Sequence, residues 1–250
     1  MTRGAIGVLM SLAFSACADL RGDDAPGVTR PLALVYRGPG ACSGCPESLA
    51  RLIEGAGFAV RFVGPAALTD AETFAGAELY AQGGGDETMD LYRAVGARRW
   101  GAAVANLRAF VADGGRYLGV CLGGYVAGEW MDEAGTVPGL ALLDGDVSPF
   151  TATPEDPAED QVIDIEWLRP AGRRRVYFQE GPYFAAAGTP WARYRNGATA
   201  VLVATYGSGK VAVSGVHLEA ERDWYEAYDL DDSDGVDRDL GLTLLRELMR

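Results

Sequence analysis

The stretch from Arg116 to Tyr125, RYLGVCLGGY, constrains this chain more than any other. Tyr117 to Val120 read as a buried strand, the strand ends on Cys121, and Gly123 and Gly124 follow at once. A strand that turns directly into a helix pushes the residue at the turn into the open, and small neighbours make such a turn sterically feasible. The free N–H groups at the start of the helix then point at the sulfur and favour negative charge on it. The same letters also suit a cysteine packed at a strand end, with glycines for close approach. What the rest of the chain brings to this point decides between a nucleophile and a packed cysteine.

Other short apolar runs end on glycine in the same way. Pro31 to Tyr36 is a strand buried on both faces, broken by Gly38-Pro39-Gly40. Phe58 to Val63 is a second strand, and Glu78 to Gln82 a third that runs into Gly83-Gly84-Gly85. Cys45 to Ala56 reads as a helix, with Leu49, Leu52 and Ile53 on one face and Pro46 in the first turn. Trp100 to Ala112 is a second amphipathic helix, ended by Asp113-Gly114-Gly115. This rhythm predicts a parallel sheet covered by helices on both faces. Ligands bind such sheets beyond the carboxyl ends of the strands. Three loops fall at that edge: Gly38 to Cys45, Gly83 to Gly85, and Cys121 to Gly124.

The second half has more strand character. Leu140 to Leu143, Gln161 to Ile165 and Arg175 to Phe178 read as strands, and Pro149, Pro154 and Pro157 mark a surface loop. Ala200 to Tyr206 and Lys210 to Gly215 flank Gly207-Ser208-Gly209, a hairpin signal. Asp239 to Met249 closes the chain as a helix. No linker interrupts residues 30–250, so residues 29–250 read as one domain.

Residues 1–28 are set apart from that domain. A minimal basic start, a short apolar run from Gly4 to Phe14, and Ser15-Ala16-Cys17 precede a polar stretch. The apolar run is too short to span a bilayer. The segment reads as an export signal, and its small-small-Cys ending resembles a bacterial lipobox in which Cys17 is lipidated and anchors the protein to a membrane. Secretion with cleavage nearby, and a cytoplasmic protein with an apolar N-terminal tail, are the alternatives. The net charge of −13 on 250 residues argues against nonspecific binding to nucleic acid or to anionic membrane surfaces.

The single histidine, His217, follows the second hairpin strand, and Glu219 lies two residues on. Histidine can hold a thiol as thiolate and then protonate a leaving group near neutral pH. A carboxylate commonly orients that imidazole. In an extended segment residues i and i+2 point to the same side, which lets the pair face one site. Cys42 and Cys45 form a C-x-x-C at a helix start. A local disulfide is the preferred reading, with a redox pair, or a Cys₃His metal set with Cys121 and His217, as alternatives. The acidic run Asp229 to Gly235 misplaces the residues of a calcium loop and reads as a solvated loop. Trp224, Tyr225 and Tyr228 read as core, or as pocket walls.

Gly119-Val120-Cys121-Leu122-Gly123 with a late His217-x-Glu219 resembles the class I glutamine amidotransferases. More closely, Val35 to Gly40, Gln82 to Gly85, Gly119 to Tyr125 and Gly181-Pro182-Tyr183-Phe184 resemble the N-terminal domain of biotin–protein ligases and its stand-alone bacterial relatives. The resemblance implies a flavodoxin-like three-layer α/β sandwich, with a mainly parallel sheet and extra antiparallel strands in the C-terminal half. It implies Cys121 as nucleophile, His217 as base, Glu219 as its orienter, and an oxyanion site on the backbone N–H groups of Gly84, Gly85 and Leu122. Tyr125 stands where these amidotransferases carry glutamine, and Leu218 where they carry proline. No synthetase domain accompanies the chain. The expected partner is a small-molecule substrate, with no cofactor and no resident metal. A binding protein that uses the same pocket without turnover, and a thiol redox protein centred on Cys42 and Cys45, are the competing readings.

Overall fold

The protein is described here from a computed structural model covering residues 1, 29–132, 134–152, 160–231 and 233–250. The export segment and Cys17, and the loop prolines Pro154 and Pro157, lie outside the described residues. The first half alternates strands and helices: β1 (Leu32–Tyr36), α1 (Cys45–Gly55), β2 (Ala59–Val63), β3 (Ala77–Gln82), α2 (Thr88–Val95), α3 (Ala97–Ala112), β4 (Arg116–Val120) and α4 (Leu122–Val126). The second half is mostly β: β5 (Gly145–Pro149), β6 (Gln161–Leu168), β7 (Ala171–Phe178), β8 (Pro182–Ala186), β9 (Thr189–Tyr194), β10 (Thr199–Tyr206) and β11 (Gly209–Ser214). Two helices, α5 (Arg222–Ala227) and α6 (Arg238–Leu248), close it.

Nine strands form one sheet in the order β2-β1-β3-β4-β11-β10-β9-β6-β7, and β5 pairs with β8 in a separate two-stranded ribbon. The pairs from β2 to β11 are parallel, and those from β11 to β7 are antiparallel. This is the flavodoxin-like α/β sandwich expected from the sequence, with its antiparallel extension on the C-terminal side. The inner parallel strands are buried on both faces, and alternate residues feed opposite cores. Ala33 and Val35 of β1 face the layer of α1 and α6, whereas Leu34 and Tyr36 face the layer of α2, α3 and α4.

Local chemistry accounts for the departures. Leu140 to Leu143, expected as a strand, is an irregular buried segment. Its N–H groups instead serve carbonyls at and just beyond the end of α4: Leu140 to Val126 at 2.8 Å, Ala141 to Gly128 at 2.7 Å, and Leu142 to Ala127 at 2.9 Å. Helix ends leave carbonyls without partners, and this segment satisfies them. The helix after Cys121 is a single turn of five residues, too short for the dipole expected of it. Pro149 ends β5 rather than sitting in a loop. The sequence reading passed over α2, which buries only Leu91 and Val95, and β8 and β9, which carry Pro182 and Pro190.

Phe178, at the end of β7, is wholly buried. Its ring lies edge-on to Phe150 at 5.8 Å and to Tyr194 at 6.1 Å. Phe150 in turn stacks on Tyr194 at 3.7 Å. Phe178→Ala is expected to lower stability by about 3–5 kcal/mol, because it removes the ring and leaves a cavity. Urea unfolding of the variant measures this; a loss below about 1 kcal/mol would show that the triplet is not a packing unit.

Candidate active site

Cys121 leaves β4 with φ 49° and ψ −107°, a backbone conformation that side-chain-bearing residues rarely adopt. Such strain costs on the order of 1–3 kcal/mol and persists only where the surroundings fix it. Here the Cys121 N–H donates to the Ser214 carbonyl at 2.8 Å, and the Cys121 carbonyl accepts from the Gly124 N–H at 2.8 Å. The turn is tight enough that a Cβ on Gly123 would collide with the Gln82 carbonyl oxygen. The Tyr117 hydroxyl donates to the Gly123 carbonyl at 2.8 Å and locks the turn from beneath. Cys121 is 6% exposed, and its Sγ lies 3.5 Å from the Gln179 carbonyl oxygen.

β4 and β11 run parallel side by side, with Val120 opposite Ser214. Their carboxyl ends therefore open on the same edge, and His217 follows Ser214 by three residues. The chain turns sharply there. The Ser214 hydroxyl donates to the Val216 carbonyl at 2.6 Å, and the His217 N–H donates to the Tyr177 carbonyl at 3.0 Å. His217 and Glu219 thus lie in a turn rather than in an extended segment, with Nδ1 of the imidazole 2.9 Å from Oε1 of the carboxylate. Both side chains are buried, at 3% and 0% exposure. The rings of Tyr177 and Trp224 pack 5.8 and 5.4 Å from the imidazole. Trp224 therefore borders the histidine, Tyr225 is buried beside Tyr177, and Tyr228 is exposed.

Burial works against a charge on His217. The Glu219 carboxylate opposes it, as does the Cys121 sulfur through a hydrogen bond, and together they prevail and raise the imidazole to about 10. At neutral pH His217 is thus an imidazolium. Nδ1 is taken by Glu219, which leaves the Nε2 side for the sulfur.

The glycine turn after β3 closes the site from the other side. The Gly83 carbonyl accepts from the Gly123 N–H at 3.2 Å, and the Gly84 carbonyl from the Cys42 N–H at 3.2 Å. A trans peptide sets its N–H opposite its carbonyl, so the Gly85 N–H points away from Cys42. Among the described residues neither the Gly85 nor the Leu122 N–H has a backbone acceptor. A Cβ on Gly84 would lie 2.6 Å from Cε1 of His217 and 3.4 Å from Sγ of Cys42, so only glycine fits. Cys42 and Cys45 are joined in a disulfide, with Cα atoms 5.4 Å apart. With those sulfurs bonded to each other, a Cys₃His set with Cys121 and His217 cannot form. No cluster of three or more metal-ligating side chains occurs among the described residues.

A cavity of about 810 Å³ opens on Cys121 and Leu122. Tyr125 lines it and donates its hydroxyl to the Glu180 carbonyl at 2.9 Å, and burial pushes that phenol upward. Sequence reasoning missed this wall. β5 and the Gln179–Glu180 step, with Glu180 at φ 45°, are brought over the nucleophile by the pairing of β5 with β8. The available signal was Gly181-Pro182-Tyr183-Phe184, noticed as a motif but not as the start of a strand.

Residues 32–134 match the family described as biotin-protein ligase, N terminal. No curated protein matches the chain. The fold is that of the glutamine amidotransferases. The PurLQS structure from Thermotoga maritima superposes with a TM-score of 0.62 at 17% identity, covering 89% of this chain and all of the other. A glutamine amidotransferase from the same organism gives 0.55 at 14% identity, covering 89% and 97%. A GH42 β-galactosidase from G. stearothermophilus gives 0.50 at 13% identity, covering 89% of this chain and 30% of the other. At these identities the likeness shows the fold alone, and the site rather than the fold must argue the activity.

Because the chain has one histidine, its ring C–H signals in an NMR titration are unambiguous. A midpoint near pH 10 is expected, falling well below that in Glu219→Gln, where burial acts with less opposition. The folded-state pKa is raised, so the pair's contribution to stability is complete below about pH 6.5 and lost as pH rises through about 10. A wild-type midpoint near 6.5 would overturn the imidazolium assignment.

Proposed function

We propose that this chain is an amidotransferase-like cysteine enzyme that hydrolyses or transfers the acyl group of an amide through a thioester. The observation that carries the reading is the strained Cys121 turn set beside the buried His217–Glu219 pair. Perturbed titration of a buried group next to a candidate nucleophile is a mark of catalytic sites. The glutamine amidotransferase-like fold supports the general class of reaction.

In this reading Cys121 attacks the carbonyl carbon as the thiolate of a thiolate–imidazolium pair with His217, and the oxygen gains the electron pair of the broken π bond. The N–H groups of Gly85 and Leu122 receive that oxyanion. The His217 imidazolium gives its proton to the leaving nitrogen as the C–N bond breaks, and a thioester and free amine remain. The now neutral imidazole takes a proton from water, whose oxygen attacks the thioester. Loss of the C–S bond returns thiolate, imidazolium and the carboxylic acid product. An amine in place of water gives transfer. Glu219 holds the imidazole in orientation throughout and compensates its charge. Tyr125, in the position of the family's glutamine, ties the site to the Glu180 carbonyl, so glutamine is not assumed as the substrate.

The accompanying proposal is export, with a lipid on Cys17, supported by the basic start, the apolar run and Ser15-Ala16-Cys17. Palmitate labelling of the full chain, lost in Cys17→Ser, is the expected outcome; labelling that survives the substitution refutes the anchor.

Alkylation by iodoacetamide and hydrolysis of a panel of amides and thioesters test the activity. Cys121→Ala is expected to abolish turnover. His217→Gln is expected to lower it about 10²–10⁴-fold and to slow alkylation of Cys121. An acyl adduct of the wild-type protein should map by mass spectrometry to the Cys121 peptide. Binding of a panel member with no turnover, undiminished in Cys121→Ala, would replace catalysis with a binding role.

A further inference from the structure

The charge of the cavity wall narrows the substrate, given the catalytic reading above. Among the described residues six carboxylate residues line it, Asp86, Glu87, Glu129, Asp132, Asp146 and Glu180, and no lysine, arginine or histidine does. They come from separate parts of the chain: the loop after β3, the turn after α4, the strand β5, and the step before β8. Carboxylates from four parts of the chain therefore meet at the cavity, while Cys121 and Leu122 form a buried floor. Two of the six are engaged within the protein. Glu87 pairs with Arg93 at 3.6 Å, and Asp132 accepts from the N–H groups of Thr136 and Val137. Among the described residues Asp86, Glu129, Asp146 and Glu180 have no ion-pair partner. Trp130, 47% exposed, lines the same wall, and an indole ring attracts a cation placed over its face.

We propose that the acyl substrate is cationic: an amide with an ammonium or guanidinium group set far enough from the carbonyl to reach the wall while the carbonyl reaches Cys121. The volume, about 810 Å³, lies in the upper part of the usual range for small-molecule sites, roughly 300–1,000 Å³, and accommodates such a length. A cleft lined by one sign of charge concentrates the opposite sign and repels its own. Free glutamine carries a carboxylate that finds no cationic side chain among the described residues of this wall.

Charged thiol reagents test the wall without requiring turnover. The full-length protein is treated separately with methanethiosulfonates carrying an ethyltrimethylammonium, a methyl or an ethylsulfonate group. Each forms a mixed disulfide with the thiol and releases methanesulfinate. Rates at the Cys121 peptide are read by mass spectrometry and divided by those for 2-mercaptoethanol. The cationic reagent is expected to exceed the anionic one by at least about tenfold at low ionic strength, and the ratio should shrink as salt is added. In Asp86→Asn/Asp146→Asn/Glu180→Gln the ratio is expected to fall below about threefold, and each single substitution should lower it about twofold. The distant exposed set Glu54→Gln/Glu78→Gln/Glu226→Gln removes the same net charge and should leave the ratio unchanged.

A ratio no greater than that of the free thiol, equal falls in both triple variants, or no modification by any reagent would overturn the proposal. The single substitutions decide the matter should the triple variant not fold. The neutral reagent separates the two readings. Slow methylthiolation that His217→Gln does not alter counts against the nucleophile, whereas a flat charge ratio with fast methylthiolation counts only against the cationic substrate.

Discussion

The site depends on the parallel pairing of β4 with β11. That register puts Val120 opposite Ser214 and lets the Cys121 N–H donate to the Ser214 carbonyl. The candidate nucleophile Cys121 and candidate base His217, almost a hundred residues apart, then leave neighbouring strands at one sheet edge. β11 is also the seam of the sheet, parallel to β4 on one side and antiparallel to β10 on the other. The two-residue connection of Gly207 and Ser208 makes this geometry feasible, since it returns the chain at once from β10 into β11. A slip of one residue in β11 would turn Val211 and Val213 to the opposite core, so two packed faces hold the register that aligns the catalytic candidates.

The parallel half was legible because its strands need both faces apolar, and Leu32 to Tyr36 or Tyr117 to Val120 have no other use for such a run. The hairpin was legible from Gly207-Ser208. β8 and β9 were not, because Pro182 and Pro190 argue against strands; tertiary pairing with β5 and β10 outweighs that local preference. Leu140 to Leu143 looked like a strand because burial and strand propensity share the same letters, and only the orphan carbonyls of α4 explain the irregular path. At the site, Cys121 stood out by its glycines and His217 by being alone. Gln179, Glu180 and Asp146 carried no comparable signal, since their place over the sulfur comes from a ribbon assembled at long range.

His217 and Glu219 are an expensive way to fill space. Two ionisable groups are removed from water, and Oε2 of Glu219 is buried with no hydrogen-bond partner among the described residues. Buried pairs of this kind are often no better for stability than apolar side chains of similar volume. Cys121 adds backbone strain at the same place. Packing gains nothing from either, whereas acyl transfer needs both: a sulfur held at the floor of a cavity and a proton held beside it. The disulfide belongs to the same construction. Through the Cys42 N–H it fixes the Gly84 carbonyl, and with it the direction of the Gly85 N–H, while Gly84 itself is pressed between Cys42 and the imidazole.

The charges of floor and wall then bear on each other. An anionic sulfur before attack, and the oxyanion that takes over its charge, meet a wall of the same sign, and the His217 imidazolium is the near cation that offsets them. During the step that releases the amine, that proton leaves the ring, so the floor loses its positive charge just as the oxyanion collapses. A substrate carrying its own cation supplies compensation to the wall through this interval without touching the reacting atoms. An anionic substrate would add to the repulsion at each stage. The carboxylates are exposed, so water and salt weaken each of them singly. Their effect is that of a shared field over the opening, which acts on whatever approaches Cys121 before any hydrogen bond to it is made.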